Sequence, residues 1–173
     1  EGSIPEDTQT SIIRYTTIDG EPITPRMAVK SNTYINGEGI LEFYGDIIGD
    51  SAFYGCDSLT SITIGDSVTT IGYKAFSNCS SLTSVTIPDS VTTVGGYAFS
   101  GCGNLNAVYI TDLVAWCNID FVNPINNGFQ LEANPLAHAQ NLYLNGELIT
   151  ELVIPESVTD IKFLAFIGCS ASN

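Results

Sequence analysis

The side chains that could do chemistry are few, and most of them recur. Cys56, Cys79, Cys102 and Cys169 each stand three residues after the phenylalanine of an Ala-Phe pair. Asp66, Asp89 and Asp112 share one repeated position, with Glu156 as the equivalent further on. The one histidine, His138, lies amid apolar residues in the segment Asn134-Pro135-Leu-Ala-His-Ala. A single histidine without an identifiable partner supports no triad and reads as a hydrogen-bonded structural residue. No Gly-rich phosphate loop, His-Glu-x-x-His or Cys-x-x-Cys occurs, so the sequence predicts no enzyme and no cofactor.

The acidic and thiol positions invite metal and disulfide readings, and both are weak. Stacked carboxylates ~5 Å apart repel by only ~0.8 kcal/mol in water, which a solvated edge tolerates. Calcium wants about six to eight oxygens around one point, which a single column does not supply. Turn chemistry accounts for the acids, and no metal is expected. Equivalent cysteines in stacked coils lie ~4.8 Å apart but point the same way, into the core, which is poor disulfide geometry. Cysteine packs as a small buried hydrophobe, so a buried, reduced column is predicted. Asn78-Cys79-Ser80 matches a glycosylation sequon, but the turn role of Asn78 and the burial expected of Cys79 make the match coincidental.

The elements that carry these residues follow from the spacing. Phe53, Phe76 and Phe99 stand 23 residues apart, and Ala52, Ala75 and Ala98 precede them. Leu59, Leu82 and Leu105 follow the cysteines, and Ile62/Val85/Val108, Ile64/Ile87/Ile110 and Val68/Val91/Val114 keep the same period. A period of this length defines a solenoid, in which each coil buries its apolar face only against its neighbours. Leu59-Thr-Ser-Ile62-Thr-Ile64 ends in the alternation of a strand with one buried face, repeated at Leu82/Val85/Ile87, Leu105/Val108/Ile110 and Ile149/Leu152/Ile154. Turns follow at Gly65-Asp66-Ser67, Pro88-Asp89-Ser90, Thr111-Asp112-Leu113 and Pro155-Glu156-Ser157. Ala-Phe-x-x-Cys is long enough for one 3₁₀ or α turn. The residue before each cysteine is Gly55, Asn78, Gly101 or Gly168, the types that best tolerate positive φ at the end of such a turn.

The period breaks after Val114 and returns at Ala165-Phe166-Ile-Gly-Cys169. Between them the sequence predicts short helices capped at Asp112 and Asn134-Pro135, with Trp116 in the core. It also predicts a loop through Asn123-Pro124-Ile-Asn126-Asn127-Gly128 and a hairpin turning at Asn145-Gly146. Residues 1–47 do not match the repeat and read as an N-terminal β cap, with hairpin turns at Asp19-Gly20 and Asn36-Gly37. Residues 48–173 then form the solenoid, with an irregular insert at about 112–148. Asn173 follows Cys169 by four residues, so no C-terminal cap is expected within this sequence.

The unit Ile-Gly-x-x-Ala-Phe-x-x-Cys-x-x-Leu-x-x-(Ile/Val)-x-Ile-(Pro/Gly)-Asp-Ser-Val-Thr-Thr resembles the BspA-like (Treponema pallidum type) leucine-rich repeat. The match covers residues 48–111 and 149–169. Tyr15-Thr-Thr-Ile-Asp-Gly20, Trp116 and Leu142-Tyr-Leu-Asn-Gly146 resemble flanking elements of gut-bacterial members. Lys162 departs from the pattern where other repeats have glycine. The resemblance implies a β-rich α/β solenoid, a right-handed coil with a parallel β-sheet on its concave face and short strands and helical turns elsewhere. It also implies an extracellular or surface location, although Glu1-Gly2-Ser3-Ile4-Pro5 shows no signal-peptide pattern.

Charge narrows the partners. Nineteen acidic against five basic residues give a net charge of -14, which disfavours nucleic acid and anionic lipid. No apolar run approaches the ~18 residues of a membrane helix, so no membrane insertion is expected. The expected role is a surface or secreted module that binds a protein ligand through the solenoid face, with adhesion to host or other cells as one use. A carbohydrate-binding or cell-envelope structural module is the alternative. Alternation turns Thr63, Thr86, Tyr109 and Tyr143 outward, flanked by Glu151. With Asn126 and Asn127 of the 122–133 loop as a rim, these residues are the predicted ligand face, since insertions in solenoids tend to fall on the binding side.

Overall fold

The first two coils are built the same way, from a core-facing strand, a turn, a two-residue strand and a tight 3₁₀-type turn. The computed structural model describes residues 9–122, 133–162 and 164–171. Strands β5 (Leu59–Ile64), β7 (Ser84–Thr86) and β9 (Ala107–Ile110) pair parallel in register. On the other side of the core, β4 (Ile47–Ile48), β6 (Thr70–Ile71), β8 (Thr93–Val94) and β10 (Asp120–Phe121) form a second parallel sheet. The result is a β-solenoid of about three turns with few helices.

Between the two sheets runs a column of phenylalanines. Phe53, Phe76 and Phe99 are fully buried, and their rings stack at 5.0 and 5.3 Å. The turn behind each ring is closed by the cysteine amide bonding back to the phenylalanine carbonyl, as in Cys79 N to Phe76 O at 3.3 Å. Gly55, Asn78, Gly101 and Gly168 take φ of 69, 61, 75 and 74°, as their residue types predict. The turns after the strands also form, with Val91 N donating to Pro88 O at 3.3 Å. Asp89 and Ser90 therefore occupy the central positions, one place later than a proline-led turn would put them.

The cysteines are free, and Cys79 and Cys102 are fully buried. Each thiol donates to the phenylalanine carbonyl of the preceding coil, Cys79 Sγ to Phe53 O at 3.1 Å and Cys102 Sγ to Phe76 O at 3.2 Å. Hydrogen bonding with the Cys102 thiol and then burial push the Cys79 thiol far above its ordinary pKa. The predicted burial fails at the ends of the column, because Cys56 and Cys169 are only half-buried. Cys56 lies next to the cap rather than a repeat coil on one side, and the turn that carries Cys169 lies against Leu136 and Ala137 rather than against a repeat coil.

The cap joins the main sheet rather than merely covering its end. β1 (Thr10–Thr17) lies between β3 (Glu38–Tyr44) and β5, antiparallel to both, and β2 (Ser31–Ile35) pairs outside β3. Ile13, Tyr15, Leu41 and Phe43 extend the core into the cap. The hairpin at Asn36-Gly37 forms, with φ of 54 and 86°. The hairpin expected at Asp19-Gly20 does not. Asp19 Oδ1 accepts from Glu21 N at 3.2 Å, but no strand follows, because Pro22 and Pro25 remove ladder donors.

Beyond β9 come α1 (Leu113–Cys117), α2 (Leu136–Ala139), β11 (Leu142–Leu144) and β12 (Glu147–Leu148). Asp112 caps α1, accepting from Val114 N and Ala115 N. Trp116 is buried and donates to Ala165 O at 2.8 Å. The segment read as irregular thus supplies β10 to one sheet and β11 to the other. Ile149/Leu152/Ile154, expected as a repeat strand, forms none beyond an isolated bridge at Glu151. The Asn145-Gly146 turn, with φ of 52 and 87°, folds β12 back onto β11 and takes that edge.

Candidate functional site

In-register pairing aligns one residue from every strand of the main sheet into a single row. Thr33, Ile40, Arg14, Thr63, Thr86, Tyr109, Tyr143 and Leu148 are consecutive partners across eight strands. Their neighbours along each strand, such as Ile13, Ile62, Ile64, Val85, Val108 and Ile110, point into the core. Period-2 alternation therefore puts the whole row on the outer face. Thr63 and Arg14 are exposed, and Thr86, Tyr109 and Tyr143 are half-buried.

Four of the predicted site residues, Thr63, Thr86, Tyr109 and Tyr143, lie side by side here. Tyr109 and Tyr143 stack with centroids 4.7 Å apart and planes 26° from parallel. Glu151 is exposed but belongs to none of the eight strands, for the reason given by the β11–β12 hairpin. Asn126 and Asn127, with residues 123–132 of the loop, lie outside the described residues.

The hydroxyls on this face divide into two kinds. One step along the strands, Thr16 Oγ1 bonds Thr60 Oγ1 at 2.7 Å and Ser61 Oγ at 2.6 Å. Thr83 likewise donates to Thr60 O at 2.9 Å. Those groups are used in holding strands and coils together. The side-chain hydroxyls of Thr63, Thr86, Tyr109 and Tyr143 make no hydrogen bond to any described residue.

Arg14 is the residue that sequence periodicity missed. It sits in the cap, and only the antiparallel pairing of β1 with β5 brings it opposite Thr63. Its guanidinium reaches Glu38 at 3.5 Å, both side chains about half exposed (52% and 53%), a weak surface pair. Two hollows open on either side of the Arg14–Thr63 contact. One, of about 420 Å³, is bounded by Thr10, Ile12, Gly65, Asp66 and Ser67, and the other, of about 150 Å³, by Thr16, Glu38 and Ser61.

His138 does not contribute to this face. It was expected to be hydrogen-bonded, yet its Nε2 is buried with no partner among the described residues. The α2 turn that carries it is held by Asn134 instead, which accepts from Leu136 N and donates to Leu164 O at 2.7 Å and Ala165 O at 3.1 Å. Among the described residues, no group of three His, Cys, Asp or Glu side chains is placed to hold a metal. None of the described helices is long and apolar enough to cross a membrane.

Repeat, coil geometry and exposed parallel sheet define a leucine-rich-repeat scaffold. The family model for the BspA type leucine rich repeat region matches residues 46–173 in six copies, and the chain belongs to that family. Repeats of this kind are typically non-enzymatic binding scaffolds. Three solved structures are similar. A leucine rich cell surface protein from Faecalibacterium prausnitzii is 34% identical over 46% of this chain and 21% of its own, at a TM-score of 0.44. The leucine rich repeat protein of T. pallidum is 28% identical over 46% of this chain and 39% of its own, at 0.37. A leucine-rich repeat protein from Bacteroides ovatus is 34% identical over 51% of this chain and 22% of its own, also at 0.37. The matched part therefore spans less than half the length of each of these proteins. A comparison with curated proteins found no match.

Proposed function

We propose that this chain is a protein-binding module, displayed outside the cell, whose ligand lies on the outer face of the eight-stranded sheet. The observation that carries the reading is the row from Arg14 to Tyr143. The hydroxyls of Thr63, Thr86, Tyr109 and Tyr143 have no partner among the described residues, while those one step away are used internally. Such a row offers donors and acceptors at fixed spacing on a rigid sheet, beside an aromatic pair of the kind enriched at interfaces. A location outside the cell accords with the low charge content, 14%, and with the repeat type.

The geometry of the tyrosines favours protein over sugar. Tyr109 and Tyr143 are strand partners, and their 4.7 Å separation matches the strand spacing of about 4.8 Å. The ring normals therefore run along the sheet, each ring covering a face of the other. Edges and hydroxyls turn to solvent, whereas stacking on a sugar needs an open ring face.

The test is capture of binding proteins from extracellular matrix on the immobilised chain, beside a glycan array. Tyr109→Ala with Tyr143→Ala should weaken protein binding by at least ~2 kcal/mol and leave thermal unfolding cooperative. Binding that survives the double substitution moves the site off this face. Tyrosine-dependent binding to glycans with no captured protein supports the carbohydrate alternative.

A further inference from the structure

Resting on that reading, the geometry points to the ligand's form: an extended polypeptide segment crossing the strands, with a carboxylate at the cap end and an apolar or aromatic side chain at the Tyr109–Tyr143 end. The cap is then part of the binding face and not only a cover for the first coil.

Three observations carry this. The first is the asymmetry of the row. Arg14 is its one charged member, and it stands at one end of the stretch that closes with two stacked tyrosines at the other. Between them Thr63 and Thr86 offer hydroxyls that no described residue engages, suited to a passing backbone. A segment lying there meets a cation, two hydrogen-bonding groups and the edges of a stacked aromatic pair, in that order.

The second is the pair of hollows. Both share Arg14 and Thr63 as walls, so the concave part of the face lies against these two residues. Ile12, exposed at 40%, gives the larger hollow an apolar wall. A guanidinium has five N–H donors in a fixed fork that matches a carboxylate. Glu38 meets it at a single 3.5 Å contact, which leaves most of that capacity open. Other charged groups nearby are Asp66, which also lines the larger hollow, and Glu42, which pairs with Lys30 at 3.8 Å.

The third is length. Arg14 to Tyr143 is four strand steps at ~4.8 Å each, or about 19 Å, which an extended chain rising ~3.3 Å per residue covers in about six residues. Affinity should therefore depend on the distance between acid and apolar group, with an optimum near that length.

The experiment uses fluorescent peptides about twelve residues long (~36 Å if extended at ~3.3 Å each), made of serine and threonine, blocked at both ends. Each carries one Glu and one Phe separated by a stepwise increasing number of residues, and binding to the whole chain is read by polarisation. Expected is an optimum at about four to six intervening residues, matching the 19 Å span. Arg14→Gln should weaken the optimal peptide about tenfold and leave its Glu-to-Gln counterpart unchanged. Glu38→Gln, which removes the competing carboxylate, should tighten it. No binding up to about 1 mM, no dependence on spacing, or indifference to Arg14→Gln overturns the inference, provided the variant melts like the parent. Capture of a protein partner separates the two levels. Capture lost in the tyrosine double variant but untouched by Arg14→Gln keeps the sheet face and rejects the acidic segment, whereas capture indifferent to both rejects the face itself.

Discussion

A methyl group on Gly95 would lie 2.6 Å from the carbonyl carbon of Gly72 on the preceding coil. The two glycines meet because Gly95 N bonds Ile71 O at 2.7 Å, as Gly72 N bonds Ile48 O at 2.8 Å one coil earlier. Backbone cannot yield as a flexible side chain does, so the coils would have to part. Gly95→Ala should destabilise by about 1–3 kcal/mol. Gly103, with nothing within 4 Å of such a methyl, should accept alanine neutrally or gain up to ~1 kcal/mol. Paired urea melts decide it, and equal midpoints for the two variants would show that coil spacing is looser than the contact implies.

Phe76 has a phenylalanine on each side and no exposure. Phe76→Ala should cost about 3–5 kcal/mol, since it empties a site that supports two neighbouring coils. A denaturation midpoint indistinguishable from the parent would remove the column from the core.

Denatured without reductant, the chain should titrate as five free thiols, since Cys56, Cys79, Cys102, Cys117 and Cys169 are all unpaired. A count of one would mean two disulfides. In the native state Cys79 should resist alkylation for as long as the coils stay closed, because its thiol is buried and bonded to Phe53 O.

Stability should also fall in alkali. Burial raises the thiol pKa of Cys56 and Cys117, and hydrogen bonding with Cys102 followed by burial raises that of Cys79. The folded thiols keep protons that the unfolded chain releases above its pKa of about 8.5. Their contribution is whole below that pH and is lost as pH climbs beyond it. Tm should hold from about pH 7 to 8 and decline toward about pH 10, and a Tm that rises across that range contradicts the assignment.

Asn134 ties the α2 turn to the final coil through Leu164 O and Ala165 O. Asn134→Ala should cost about 2–3 kcal/mol, from a lost cap and a buried carbonyl left without its donor. Asn134→Asp keeps an acceptor for Leu136 N but no donor for the carbonyls. It should therefore recover only part of the loss, and full recovery by Asp would reduce the residue to a cap.

The repeat was legible because its signals are local or belong to adjacent coils. Phe53, Phe76 and Phe99 repeat because each fills the same slot, and Gly55, Asn78, Gly101 and Gly168 repeat because one backbone angle is required there. Other positions were silent for the opposite reason. Ser51, Lys74, Tyr97 and Leu164 also take positive φ, at 56, 55, 57 and 71°, yet their residue types share nothing that announces it. The conformation is imposed by bonds between coils, such as Ser51 N to Tyr73 O and Lys74 N to Gly96 O, which outweigh a strain of about 1–2 kcal/mol per residue.

The face was half legible. Alternation alone turned Thr63, Thr86, Tyr109 and Tyr143 outward. Only the tertiary fold chose β11 over residues 149–154 as the strand beside β9, because the Asn145-Gly146 turn gave β12 the next edge. Only the fold threaded β1 between β3 and β5 and so set Arg14 against Thr63. Those pairings join segments far apart in the chain, and what selects them is a shared core, a free strand edge and matching register, none of which a single segment contains.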